Sequence, residues 1–193
     1  MKKVGLYFGS FNPVHIGHLS LANYLIEHNI VDELWFVVSP CNPLKQHTEL
    51  LDETIRLKML QLAIAENEKL KISDIEFHMP VPSYTIDTLN VLTAQYPDCQ
   101  FSLIIGSDNA LLFDRWKNAQ EIIARFPVLV YPRRGYDFEK VAHIYPQMQL
   151  LSSPFYDISS TEIRKNIVSE KDISSFLHPA VYQYICNSKL YKK

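Results

Sequence analysis

An apolar run at Val4, Leu6, Tyr7 and Phe8 stops at Gly9, and a helical periodicity begins at Ile16 with only a short turn between the two. The run reads as a strand buried on both faces, where side chains need not alternate apolar and polar. Gly9 has no Cβ, so backbone N–H groups can turn toward a ligand there, and Pro13 fixes the turn that follows. Ile16, Leu19, Leu21, Ala22, Leu25 and Ile26 then mark one helix face, ending near His28 and Asn29. His15 and His18 therefore sit together at a helix start, where free N–H groups and the positive end of the helix dipole favour an anion. A phosphate chain is the natural ligand. Metal ligation by the pair finds no Cys or carboxylate at ligand spacing nearby, and packing alone does not account for a glycine turn, a proline and two histidines in one connection.

The same alternation recurs along the chain. Residues 34–38 form a second continuous apolar run, followed by a proline-bearing loop over 39–47; Asp52 caps a helix through Ile55, Met59, Leu62 and Ala63; residues 70–74 form a short strand. Pro80 and Pro82 mark a loop, Ser83 or Thr85 caps a helix reaching Tyr96, and residues 101–105 form a buried strand ending in Gly106, Ser107 and Asp108. Two short helices around Trp116, over 111–113 and 121–124, precede a strand at 128–131. A capped helix from Ser159, Ser160 and Thr161 and a final helix over 179–187 close the chain. Strands alternating with helices predict an α/β fold: a Rossmann-like open, mostly parallel sheet with helices on both faces, with a small helical C-terminal portion. Nothing demands a second domain, so residues 1–193 read as one. Such sheets bind ligands beyond the carboxyl ends of their strands, and residues 9–18, 40–45, 106–108 and 132–134 each follow a strand.

Composition narrows the ligand. With 47% hydrophobic residues in 193, the chain can bury a substantial core, and its net charge of -2 disfavours a general surface for nucleic-acid polymers. Small phosphorylated ligands fit better. Cys41, Cys99 and Cys186 lie far apart without a C-x-x-C pair, the chain enters a strand almost at once, and no apolar run approaches bilayer length. A cytoplasmic protein without membrane contact is expected; a homo-oligomer is compatible with the sequence.

Residues 15–18 spell H-I-G-H, a motif of the class I aminoacyl-tRNA synthetases and of the smaller nucleotidyltransferases that share their nucleotide-binding fold. The synthetases need a second lysine-rich signature, which Lys58-Met-Leu-Gln is not, and appended domains for which the chain has no room. The pairing of G-x-F-x-P-x-H-x-G-H at 9–18 with I-S-S-T-x-I-R at 158–164 resembles the nucleotidyltransferases specifically, and over nearly its whole length the chain is similar to the bacterial nicotinate mononucleotide adenylyltransferases. The loop ending at Lys45, the S-Y-T-x-D-T-L stretch at 83–89, Gly106-Ser-Asp108 with Trp116, and Pro132-Arg-Arg134 carry that resemblance further. Two positions depart from it: Asn12 stands where many relatives have Asp, and Leu44 where relatives commonly have His, with His47 close enough to Lys45 to compensate.

The resemblance implies transfer of AMP from ATP to nicotinate mononucleotide, with release of pyrophosphate. His18, His15 and Arg164 would be catalytic, and ATP would be held by Gly9, Ser10, Phe11, His15, His18, Gly106, Asp108, Arg134, Ser159, Ser160, Thr161 and Arg164. Arg134 is preferred to Arg133 on the family's pattern. Lys45, Ser83, Tyr84, Thr85 and Trp116 would bind the mononucleotide. Mg²⁺ is implied as a cofactor held mainly through ATP phosphates, with no protein ligand expected. Rival readings are a sister transferase acting on phosphopantetheine or glycerol phosphate, and a nucleotide sensor without turnover.

Overall fold

The computed structural model describes residues 1–40 and 50–192, and of Phe138 the backbone alone. Its strands are β1 (Lys2–Gly9), β2 (Glu33–Val38), β3 (Leu70–Ser73), β4 (Cys99–Gly106), β5 (Val128–Tyr131) and β6 (Gln149–Leu150). They form one sheet in the order β3-β2-β1-β4-β5-β6, and every neighbouring pair is parallel. The helices are α1 (Ile16–Glu27), α2 (Glu53–Ile64), α3 (Thr85–Gln95), α4 (Ser107–Ala110), α5 (Ala119–Arg125), α6 (Phe138–Ile144), α7 (Ser160–Val168) and α8 (Pro179–Asn187). Since β1 is flanked by β2 and β4, the chain builds one half of the sheet outward from β1 and then returns to build the other. The carboxyl ends of β1 and β4 thus border the crevice where such sheets bind ligands.

Side chains alternate across each strand, and the sheet buries both faces accordingly. Val4 and Leu6 of β1, Leu103 and Ile105 of β4, and Val128 and Val130 of β5 join a core with Ile86, Leu89 and Leu92 of α3, Ile122 of α5 and Val141 of α6. Tyr7, Ile104, Leu129 and Tyr131 point the other way, into a core with Leu21 and Leu25 of α1, Met59 and Leu60 of α2, Ile163 and Ile167 of α7, and Val181 and Ile185 of α8. Residues as enclosed as Leu25, Leu34, Phe36 and Met59, all without exposed surface, contribute roughly 1.5–3 kcal/mol each by burial. The N-terminal and C-terminal helices therefore lie on one face together, which brings α7 beside α1.

Asp52 caps α2 as expected, accepting from the Thr54 N–H at 2.9 Å, and Ser159 caps α7 through the Glu162 N–H at 3.1 Å. The cap of α3 differs. Tyr84, not Ser83 or Thr85, holds the N-cap position, with no side-chain bond to the helix, because the Ser83 hydroxyl is bonded to Glu76 instead. The expected short helix over 111–113 is replaced by α4 just before it and a 3₁₀ turn at Phe113–Arg115. Helix α6, capped by Asp137, and the two-residue β6 were not foreseen. Among the described residues no helix is long and apolar enough to cross a membrane.

Candidate active site

The first histidine ends the turn and the second opens the helix. His15 is the N-cap of α1, extended at φ -141 and ψ 170, and its backbone N–H donates to Nδ1 of His18 at 3.2 Å. The two rings stack, with centroids 3.6 Å apart and planes 22° from parallel. Gly17 makes this packing possible: a Cβ there would stand 3.1 Å from His15 Nδ1 and 3.4 Å from Tyr156 Cβ. Because Nδ1 of His18 accepts, the neutral ring carries its proton on Nε2, an assignment that follows from the hydrogen-bond network. Tyr7 and Phe11 hold the His18 ring edge-on, at 5.8 and 5.2 Å between centroids. His15 is 5% exposed, and burial, followed by the charge of Arg133, lowers its pKa from 6.5 to about 3. It is neutral at physiological pH, so its contribution to an anion site is a dipole and not a charge.

The turn before α1 is held by α7. Phe11 is buried and adopts a left-handed backbone at φ 47, and the Asn12–Pro13 bond is cis. The Ser160 hydroxyl donates to the Pro13 carbonyl at 2.8 Å, and Arg164 Nη1 donates to the Asn12 carbonyl at 2.9 Å. Arg164 Nη2 reaches Thr161 Oγ1 at 3.5 Å. Two helix starts far apart in the chain are thereby joined, and His15, His18, Ser159, Ser160, Thr161 and Arg164 are gathered at one place. The N–H groups of Ser160 and Thr161 at the start of α7 have no intrahelical acceptor and add to those at the start of α1, while that of Glu162 is taken by the Ser159 cap.

Arg56 was missed by sequence reasoning and is the largest side chain with no exposed surface. Its Nε donates to the Leu51 carbonyl at 2.8 Å, its Nη1 to those of Ser10 and Ser39 at 2.7 and 2.8 Å, and its Nη2 to that of Pro40 at 3.1 Å. One guanidinium thus ties the turn after β1 to the connection leaving β2. The sequence did hold a signal: Arg56 shares its helix face with Met59, Leu60 and Ile64, all buried. Lys45, Leu44 and His47 lie outside the described residues.

Beside this phosphate-ready end, at the carboxyl ends of β1 and β4, lies a cavity of about 370 Å³. Gly9, Ser83, Tyr84, Thr85, Gly106 and Trp116, all singled out in the sequence, line it. Glu76, also in its wall and only 2% exposed, accepts from the Ser83 and Thr88 hydroxyls at 2.8 Å each, which fixes the segment entering α3. Trp116 packs on Phe113 at 5.2 Å, and its buried indole N–H finds no acceptor among the described residues. Lys117 lies 4.7 Å above the Tyr84 ring while paired with Asp87 at 2.8 Å.

The two arginines after β5 part company. Arg133 lies inward: Nη1 donates to the Tyr131 hydroxyl at 3.3 Å, Nε stands 3.7 Å from Asp108, and its N–H donates to Ser107 Oγ at 3.0 Å. Burial would lower its pKa, but Tyr131 and Asp108 outweigh it and the net shift is upward. The Tyr131 hydroxyl meets that of Tyr7 at 3.1 Å, and burial pushes the Tyr7 phenol well up. Arg134 is 79% exposed and paired with Asp157 at 2.6 Å, so of the two it is the one that stands away from Asp108.

Residues 6–166 match the model of the cytidylyltransferase-like family. A Bacteroides fragilis protein named "Probable nicotinate-nucleotide adenylyltransferase" is 50% identical over 183 residues, 95% of this chain and 90% of its own. One of the same name from Flavobacterium psychrophilum is 45% identical over 192 residues, 99% of this chain and all of its own. Among solved structures, a Plasmodium falciparum nicotinic acid mononucleotide adenylyltransferase complexed with NaAD superposes with a TM-score of 0.85 at 24% identity, covering 99% of this chain and 98% of that one. That likeness bears on the fold.

Proposed function

The chain belongs to the nicotinate-nucleotide adenylyltransferases of the cytidylyltransferase-like family, and from that premise we propose that it transfers AMP from ATP to nicotinate mononucleotide, giving deamido-NAD and pyrophosphate. The observation that best supports a triphosphate site is the junction of the two helix starts, Ser160 on the Pro13 carbonyl and Arg164 on the Asn12 carbonyl. A mononucleotide phosphate has a second pKa of about 6 and is largely a dianion at neutral pH, so the attack needs no general base. What the reaction needs is alignment of two polyanions and stabilisation of charge as it gathers on the leaving pyrophosphate.

In this reading His18 donates from Nε2 to the phosphate at which substitution occurs, and neutral His15 holds its ring and N–H frame in place. With no imidazolium at position 15, positive charge comes from Arg164, supported by the N–H groups of Ser160 and Thr161 and of the turn carrying Gly9, Ser10 and Phe11. Ser159 contributes as the cap that starts α7. Gly106, Asp108 and Arg134 are assigned to the adenosine side, with Asp108 assigned to a ribose hydroxyl. The cavity takes the pyridine, with Trp116 and Tyr84 for the ring and Ser83 and Thr85 at the start of α3; Lys45 is assigned to the mononucleotide phosphate. Among the described residues no group of three or more His, Cys, Asp or Glu could hold a metal ion. Mg²⁺ is assigned to phosphate oxygens and water, where it would neutralise charge. The free thiols of Cys99 and Cys186 accord with a reducing, cytoplasmic setting.

The test is pyrophosphate release from ATP and Mg²⁺ with each acceptor in turn. Release with nicotinate mononucleotide is expected. Release with phosphopantetheine alone would assign a sister activity, and binding of ATP without release would leave a sensor.

A further inference from the structure

Asn12 occupies a hub that the proposed reaction does not by itself explain. It is 4% exposed, its carbonyl accepts from Arg164 at 2.9 Å, and its side-chain Oδ1 accepts from the Tyr191 hydroxyl at 2.8 Å and from the Leu51 N–H at 3.4 Å. Tyr191 lies beyond α8, almost at the end of the chain. Two left-handed residues, Lys189 at φ 49 and Tyr191 itself at φ 64, turn the tail back there, and Leu190 and Tyr191 pack against the core shared by α1, α2, α7 and α8. The tail is thus led back onto the turn that precedes the first helix, 179 residues upstream.

We propose that Tyr191 is a positioning residue of the triphosphate site: by donating to Asn12 Oδ1 it anchors Asn12, whose carbonyl in turn receives the guanidinium of Arg164. The inference rests on the reading of Arg164 as a phosphate-binding group. Asn12 is thus tied at two points, its side-chain oxygen by Tyr191 with Leu51 and its carbonyl by Arg164, so the hydroxyl at 191 restrains the residue on which the arginine is aimed although it touches no substrate. Burial raises the Tyr191 phenol despite the opposing pull of Arg164 and Arg56, so the group remains a donor through the working pH range. An amide at position 12 serves this better than a carboxylate would, since it accepts the same bond without placing a negative charge beside an arginine meant for phosphates.

Affinity for a non-hydrolysable ATP analogue, by calorimetry, and steady-state kinetics would be measured for the wild-type chain, Tyr191→Phe, Arg164→Ala and the double variant. Tyr191→Phe keeps the ring and removes the hydroxyl; analogue affinity and kcat are expected to fall about tenfold each, with KM for the mononucleotide within about twofold. On the Arg164→Ala background the same change should have no further effect, because the hydroxyl acts through that arginine. Asn12→Ala, which removes the acceptor from the other side, should reproduce the pattern if Tyr191→Phe proves unstable. The inference is overturned if Tyr191→Phe only lowers the unfolding temperature, or weakens both backgrounds equally. Analogue binding requires no acceptor, so a wild-type chain that binds it yet releases no pyrophosphate would overturn the acceptor assignment and leave this one intact.

Discussion

The two ends of the site are built on opposite principles. At the triphosphate end, most side-chain bonds run to backbone, Ser160 to Pro13, Arg164 to Asn12 and Arg56 to four carbonyls, with Tyr191 on Asn12 Oδ1 and Arg164 on Thr161 as the side-chain pairs beside them. In the cavity, side chains bond to side chains, Ser83 and Thr88 to Glu76 and Tyr7 to Tyr131, while the buried indole N–H of Trp116 has no acceptor among the described residues. A triphosphate is recognised by charge and N–H groups whatever nucleoside it carries, so its site can be set rigidly by the main chain. A ring is recognised by shape and a few polar atoms, and a wall of side chains can be retuned without moving the sheet.

That contrast can be attacked from both ends. The largest effect is expected for His18→Ala, which removes a preorganised donor: kcat should fall about a thousandfold, equivalent to about 4 kcal/mol, while chemical denaturation shows a loss of only about 1 kcal/mol. A comparable loss of stability would mean that the ring packs and does not catalyse. Next comes Arg56→Met, which leaves four carbonyls without their donor and should cost about 3 kcal/mol or more in urea unfolding, with ATP affinity lowered even where the variant is kept folded because the Ser10 carbonyl is no longer drawn inward. Stability near wild type would show that the turn is held by other means.

Protonation gives an intermediate effect. Folding lowers the His15 pKa from 6.5 to about 3, so in that interval the unfolded chain binds a proton that the folded chain does not. The contribution is whole above the unfolded value and is lost as pH falls, by about 2 kcal/mol at about pH 5. His15→Gln should flatten the fall in unfolding midpoint between neutral and mildly acid pH; an unchanged slope would assign the acid sensitivity elsewhere. The smallest effect is placed in the cavity: Trp116→Ala should raise KM for the mononucleotide about tenfold, near 1.4 kcal/mol, and leave KM for ATP within twofold. If both KM values rose together, the two ends would not be separable.

Most of the sheet was legible because its strands are continuous apolar runs and its long helices carry a buried face, as α1 and α3 do. The short elements were not. Strand β6 exists by virtue of its pairing with Leu129 and Val130, and α6 buries Val141 while exposing Ile144, so neither has a periodicity of its own. In the site, the histidine pair and the Ser-Ser-Thr turn were legible because helix starts announce themselves locally. Arg56 was legible only as a charge on an apolar helix face, and Glu76 and Tyr191 not at all, since their partners are carbonyls, hydroxyls and an amide that only the fold brings near. Arg133 and Arg134 are adjacent and chemically identical; which one faces inward is decided by the path of the chain after Tyr131.

One consequence follows from the planarity of the peptide bond. In a trans peptide the C=O and the next N–H point in opposite directions, so when Arg56 draws the Ser10 carbonyl inward, the Phe11 N–H is turned outward by the same rotation. A cation sealed inside the molecule therefore acts as a mould: it meets no ligand, yet it decides which pole of the glycine turn the solvent sees.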